Sequence, residues 1–231
     1  MMERRDFLRS AAMAGLAAGG GVGVGGGFTG QALADGSAGE ARRVFRILRA
    51  GRDIGRHVLT ARHGADGFEI DIDIDIVVRV LGIAAYRYEM SVRERWADGA
   101  LASLDSRTND DGDEDFARIR RAGDVLEIDG SGFQGTRPGD GVATTYYTRA
   151  FLERRPWISS QTGRPVEIAP RPLSGEPDAF EIGGDLGNVL IYDAAGEWTG
   201  CRFDAGGEPA RYEVIEDTGG VAALWRASAP A

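Results

Sequence analysis

From residue 68 to residue 80 the chain alternates without a break. Phe68, Ile70, Ile72, Ile74, Ile76, Val78 and Val80 share one parity, and Glu69, Asp71, Asp73 and Asp75 stand between them. Successive side chains of a strand point to opposite faces, so this period of two specifies a strand with one apolar and one acidic face. A helix would scatter the same isoleucines around its circumference. At about 3.3 Å per residue the run reaches on the order of 40 Å, longer than a flat sheet in a small domain uses, so it predicts a sheet that coils.

The next run repeats the pattern. After residues 81–85, Tyr86, Tyr88, Met90, Val92 and Trp96 share one parity, while Arg87, Arg93 and Arg95 share the other. A hairpin centred near Ile83 places Asp73 opposite Arg93 and Asp71 opposite Arg95, with both apolar rows on one face. Exposed cross-strand pairs contribute about 0.2–1 kcal/mol each, so they set register more than stability.

Turn chemistry divides the rest of the chain. Strands are expected at residues 44–50, 56–62, 100–107, 114–121, 125–129, 188–193, 198–204, 210–216 and 221–227, with turns at 51–55, at Asp98-Gly99 and at 109–112. Residues 131–141 read as a glycine-rich loop and 165–177 as a proline-rich crossing. Residues 149–155 read as one short helix that stops before Pro156. The expected fold is all-β and mainly antiparallel, a long curved meander sheet forming an open or incomplete barrel with one short helix packed on it.

The N-terminus reads as an address. Arg4-Arg5-Asp6-Phe7-Leu8 resembles the twin-arginine export motif, and it is followed by a glycine-laden apolar stretch and by Ala32-Leu33-Ala34, a small-x-small cleavage site. The expected organisation is a signal peptide at 1–34, a flexible linker at 35–41 and a single β-rich domain at 42–231. The expected location is periplasmic or secreted, with no membrane span after cleavage. A body of roughly 190 residues can bury about 70% of its unfolded surface, enough for a core without disulfides. With Cys201 as the sole cysteine, an intramolecular disulfide is excluded.

Composition narrows the functions. The sequence contains no lysine, which excludes Schiff-base chemistry and a P-loop, and its arginines suit anion or carboxylate pairing rather than proton transfer. The net charge of −9 becomes −10 once the leader is removed, so the body is expected to repel nucleic acid and anionic surfaces. The ladder Asp71, Asp73 and Asp75 does not converge on one cation, since alternate strand residues lie about 6.6 Å apart and point in parallel. His57 and His63 lack the further ligands that zinc needs. Pairing Cys201 with a histidine, or assembling Ser91, His57 and an aspartate, is formally possible, but no nucleophile-elbow sequence marks a serine. No catalytic residue, metal ligand or cofactor is assigned.

What remains is an aromatic-lined face. Tyr86, Tyr88, Met90 and Trp96 lie on the isoleucine side, and Tyr146, Tyr147, Phe151 and Trp157 are expected to lie across it with Arg149, Arg154 and Arg155 at the rim. The candidate ligand-binding residues are Tyr86, Tyr88, Trp96, Tyr146, Arg149 and Trp157, and the expected partner is a lipid or other apolar or amphipathic small molecule. The bland reading of the same rings is that they fill the core beneath the helix. An envelope hydrolase and a structural or assembly partner are the alternative functions.

Several local sequences carry a family likeness. Gly51-Arg52-Asp53-Ile54-Gly55, Glu94-Arg95-Trp96-Ala97-Asp98-Gly99, Thr108-Asn109-Asp110-Asp111-Gly112, and Trp157 with Gln161-Thr162-Gly163 resemble a family of uncharacterised exported bacterial proteins, over residues 44–172. That resemblance implies an address and a β-rich fold but no activity. The layout is also similar, at the level of fold alone, to the half-barrels of periplasmic lipoprotein carriers.

Overall fold

In the computed structural model, which describes residues 39–64 and 66–228, the chain starts its sheet at β1 (Glu40–Arg49) and returns through β2 (Arg52–Gly64). The twin-arginine motif, the leader and residues 35–38 of the linker lie outside the described residues. β1 takes in Glu40 and Ala41, which were expected to belong to the linker, because Ala41 packs into the core. The isoleucine run forms β3 (Gly67–Val80) and the tyrosine-tryptophan run β4 (Ile83–Ala97). All even positions from Phe68 to Val78 and from Tyr86 to Trp96 are buried, so the two stripes share one inward face.

The meander continues through β5 (Ala100–Asp110), β6 (Asp113–Ala122), β7 (Val125–Gly130) and β8 (Gln134–Pro138). A small second sheet follows, made of β9 (Val142–Ala143), β10 (Trp157–Ile158) and β11 (Pro165–Val166), with a 3₁₀ helix at Arg149–Glu153 inside it. A second meander then runs through β12 (Ile168–Leu173), β13 (Glu176–Gly184), β14 (Asn188–Tyr192), β15 (Trp198–Asp204) and β16 (Pro209–Thr218) into the helix α1 (Val221–Ala227). β16 pairs with β1, which fuses the two meanders into one antiparallel sheet of thirteen strands with β12 and β8 at its ends. The sheet curls around its core without closing. Irregular pairing at Val44/Phe45, Ile47/Leu48, Val78/Arg79 and Arg95/Trp96 helps it bend, since a bulge sharpens local twist.

Five local expectations are corrected. The β3–β4 hairpin turns at Leu81-Gly82, so Asp71 faces Arg93, Glu69 faces Arg95, and Asp73 faces Ser91. Arg93 Nε donates to Asp71 at 2.6 Å and Arg95 Nε to Glu69 at 2.7 Å. The expected pairing was displaced by two residues, which preserves both faces; a displacement of one would have turned the isoleucines to water.

Residues 221–227 are helical rather than extended. Val221, Ala222 and Trp225 form the buried side of a short alanine-rich helix, and the carboxylate of Glu197 accepts from the backbone N–H groups of Ala222 and Ala223 at 2.9 and 2.8 Å. The element at 149–155 is a 3₁₀ helix that ends at Glu153, with Thr148 as its cap. Finally, strand β8 lies within the expected loop 131–141, and β11, β12 and the start of β13 lie within the expected crossing 165–177. The prolines hid β12, yet it is an edge strand, where a missing ladder donor is tolerated.

The helix and the 3₁₀ segment both pack into the concave side. Trp96 stacks on Phe151 at 5.3 Å between ring centres and meets Trp225 edge-on at 5.4 Å. The guanidinium of Arg154 lies 5.5 Å from the ring centres of both Trp96 and Trp225. Among the described residues no helix is long and apolar enough to cross a membrane.

Candidate functional site

The curled sheet and the small second sheet leave one mostly enclosed space between them. Its floor comes from the middle of the isoleucine stripe and its neighbour: Ile72 and Ile74 of β3 with Met90 and Val92 of β4. The covering wall comes from Thr144, Thr145 and Tyr146 and from Ser159 to Gln161, and the far wall from Asn188, Trp198, Cys201 and Tyr212. Exposed Arg164 and half-buried Asp185 stand at the mouth. The cavity volume is about 70 Å³, room for a few ordered waters or one small group rather than a whole lipid.

The walls hold polar atoms that the protein leaves unused. His57, an inward residue of β2, is buried with neither ring nitrogen hydrogen-bonded. Its ring is held by Phe45, Trp198 and Tyr212 at 5.2–5.9 Å. Burial brings its pKa down to about 3, so the imidazole is neutral at any physiological pH. Asn188 is buried with neither amide atom bonded in normal geometry, although the Tyr146 hydroxyl lies close by. A buried polar group without a partner costs about 1–3 kcal/mol, so a cavity ringed by such groups suits a guest that can hydrogen-bond.

Tyr146 is the strained member of this wall. Its φ is +61°, a left-handed conformation that a bulky residue rarely adopts and that costs on the order of 1–3 kcal/mol. Burial raises the pKa of its phenol above the ordinary value, so it too is uncharged. The cavity interior therefore offers neutral donors and acceptors over an aliphatic floor.

Of the six residues expected to bind a ligand, only Tyr146 lines the cavity. Trp96, Trp157 and Tyr88 are core residues: Trp96 Nε1 donates to Glu94 at 2.9 Å, Trp157 Nε1 to the Phe151 carbonyl at 3.0 Å, and the Tyr88 hydroxyl lies 3.1 Å from the Met90 sulfur. Arg149 is exposed, and its backbone N–H donates to the Gly196 carbonyl. Tyr86 is buried and donates to Asp110 Oδ1 at 2.9 Å.

Asp110 is itself fully buried, and burial raises its pKa to about 7, with the Tyr86 hydrogen bond opposing and the carboxylates of Asp115, Asp113 and Asp111 reinforcing. The unfolded chain ionises this group near pH 4 and the folded chain near pH 7. Its stabilising contribution is therefore full below pH 4 and lost as pH rises through 7. Asp110→Asn keeps an acceptor for Tyr86, and urea midpoints measured across pH 4–8 should lose that decline in the variant and retain it in the parent protein.

Several site residues were not legible. Asn188, Thr144 and the adjacent pair Ser160-Gln161 come from three separate segments, and no spacing in the sequence connects them. Glu94 had a visible signal, a carboxylate at an inward position of β4. It is fully buried, accepts from Trp96 Nε1 and from the Tyr147 hydroxyl at 3.0 Å, and has its pKa raised by burial. The Thr145 hydroxyl stands near its other oxygen without good hydrogen-bond geometry.

The arrangement is poorly suited to nucleophilic catalysis. Cys201 lines the same cavity as His57, but burial pushes its thiol up to about 12, and its hydrogen bond goes to the Arg202 carbonyl, at 4.0 Å, rather than to the imidazole. A thiol without a bonded base stays protonated. Ser91 points outward while His57 points inward, so they cannot form a dyad. Among the described residues no three His, Cys, Asp or Glu side chains gather as a metal site.

A family model described as a domain of unknown function, DUF6134, matches residues 45–215. The chain is also similar to a crystal structure titled as a beta-barrel-like protein of the domain of unknown function DUF1849 from Brucella abortus. The two share 10% identity with a TM-score of 0.51, over 78% of this chain and 97% of that one. At that identity the likeness concerns the fold alone. No curated protein matches the chain.

Proposed function

The chain belongs to the DUF6134 family, a domain of unknown function, and from the geometry of its cavity we propose that it is a non-catalytic binding protein for an amphipathic small molecule with an uncharged polar head. The single observation that carries this reading is the set of unpartnered polar atoms of His57 and Asn188 above the apolar floor of Ile72, Ile74, Met90 and Val92. A hydroxyl or amide head can satisfy them. An ionised head cannot, because the buried walls hold no charge to offset its desolvation. Given the small enclosed volume, the apolar body of the ligand lies toward the mouth at Arg164 and Asp185. The twin-arginine motif supports export, and we place the binding role outside the cytoplasm.

Trp198 lines the cavity and reports on its occupancy. Titration with octanol should change tryptophan fluorescence saturably, and Trp198→Phe should remove that change. Octanoate at neutral pH should bind at least ten-fold more weakly, and Asn188→Leu should weaken octanol binding by about the same factor. Equal binding of the alcohol and the carboxylate, or no saturable signal with either, would overturn the proposal.

A further inference from the structure

We propose that the β3–β4 hairpin is a membrane-touching finger, whose apolar tip enters a phospholipid surface while flanking arginines meet the headgroup phosphates. Pairing of β3 with β2 ends at Ile76, where it faces Gly55, and pairing of β4 with β5 ends at Tyr88, where it faces Asp110. Arg87 is still tied to Asp111, whose backbone N–H donates to its carbonyl at 2.8 Å, and Val78 and Tyr86 are buried, so the ribbon stands free from Arg79 to Ala85. That free end extends about 7–10 Å.

Its tip is the largest concentration of exposed apolar side chains among the described residues. Val80 is 58% exposed, Leu81 97% and Ile83 73%, and Ala84 and Ala85 beside them are exposed as well. From Val80 to Ala85 no side chain can form a hydrogen bond. The turn supplies a second, independent anomaly. Leu81 has φ +52° and Gly82 φ +84°, the two-positive pattern of a type I′ turn, whose first position ordinarily takes Asn, Asp or Gly. A leucine there carries backbone strain and shows nearly its whole surface to water, two costs that stability does not explain.

The charges near the finger select the occupant. Residues 76–88 contain no acidic side chain. Arg79 on the finger and Arg52 at its foot are exposed and form no ion pair among the described residues, and both line one groove with Val77 and Val78; of the two acidic residues in that groove, Asp53 is paired with Arg56 and Glu208 stands far from the finger in the sequence. Long arginine stems lie along apolar surface while their guanidinium groups reach phosphate, an arrangement suited to the headgroup layer. The opposite flank carries Asp111, bonded to Arg87 of β4, so the Arg52–Arg79 side faces the lipid. A narrow ribbon with aliphatic side chains on both faces fits the disordered interfacial region of a bilayer better than a flat protein surface, which rewards aromatic anchors and matched hydrogen bonds. The net charge of the body opposes approach, so the apolar tip and the two arginines must overcome it.

The finger is distinct from the cavity, and its test does not depend on a ligand there. The full chain should sediment with vesicles of phosphatidylethanolamine and phosphatidylglycerol. Leu81→Asp with Ile83→Asp should reduce the bound fraction at least ten-fold, and Arg52→Glu with Arg79→Glu several-fold, without changing the urea midpoint. In Leu81→Trp, the emission of the added indole should shift to shorter wavelength with vesicles. Equal sedimentation of parent and Leu81→Asp/Ile83→Asp proteins, or no shift, would overturn the proposal. So would lipid-free self-association that the aspartate variant abolishes, since the tip would then be an interface between copies of this chain.

Discussion

Trp96→Ala is expected to lower the unfolding free energy by about 3–5 kcal/mol, toward the upper end of that range. The indole is fully buried on β4, stacks on Phe151 of the 3₁₀ segment and meets Trp225 of α1 edge-on. One side chain thus joins the sheet to both elements that fill its concave side, and truncation leaves a cavity that none of the three can fill alone. The loss also removes the Nε1 donor from Glu94, a buried carboxyl whose remaining partner is Tyr147. Trp96→Phe separates the two effects, because it keeps most of the volume and deletes only the hydrogen bond, for about 1–3 kcal/mol. Urea unfolding gives both numbers, and near-ultraviolet circular dichroism reports whether Trp225 stays docked. A cost below about 1 kcal/mol for the alanine variant would show that the three rings do not pack as described.

Arg43→Met is the second large effect, about 3–5 kcal/mol. Arg43 sits at an inward position of β1 and is 3% exposed. It donates to the Trp198 carbonyl at 2.7 Å, to Asp217 at 2.7 Å and to Glu197 at 3.3 Å. Glu197 is buried too, and its carboxylate holds the first N–H groups of α1. Removing the guanidinium leaves a buried anion supported only by a short helix terminus, whose partial charge is small. Adding Glu197→Gln to Arg43→Met should recover part of the loss, because the amide oxygen can still accept from one of the two α1 N–H groups and the side chain carries no charge to desolvate. If the double variant is less stable than Arg43→Met by the full cost of Glu197→Gln alone, the two residues are not coupled.

The fold was largely legible because its strongest signal is geometric. Isoleucine at every second position from Ile70 to Ile76 allows one backbone and one inward face, and the tyrosine-tryptophan run had to lie beside it with matching parity. The register was less legible, because Asp71 and Asp73 offer nearly equivalent partners to Arg93 and Arg95, and the choice falls to the turn at Leu81-Gly82. The helix at residues 221–227 escaped notice because seven residues are too few for a period of 3.6 to show. It is held by a carboxylate from a distant strand, and that contact has no local signature.

The candidate site was legible only in part. An inward face rich in rings is visible in the residues, yet which rings fill space and which border it depends on how far apart opposing walls stand. Trp96 and Trp157 met partners from Phe151 and Glu94 and became core. Tyr146 was brought to the cavity, beside Trp157 and Trp198, by a backbone turn with positive φ that nothing in its neighbourhood announces.

By itself the amino-acid order determined a coiled antiparallel sheet and the side of each strand that faces inward, since alternation acts between adjacent residues and needs no knowledge of the rest. Tertiary structure alone decided that His57, Tyr146 and Asn188, spread over more than a hundred residues of the chain, would line one cavity. It also decided that the β3–β4 ribbon would outrun its neighbours, because where a strand loses its flanking partners depends on the lengths of all three.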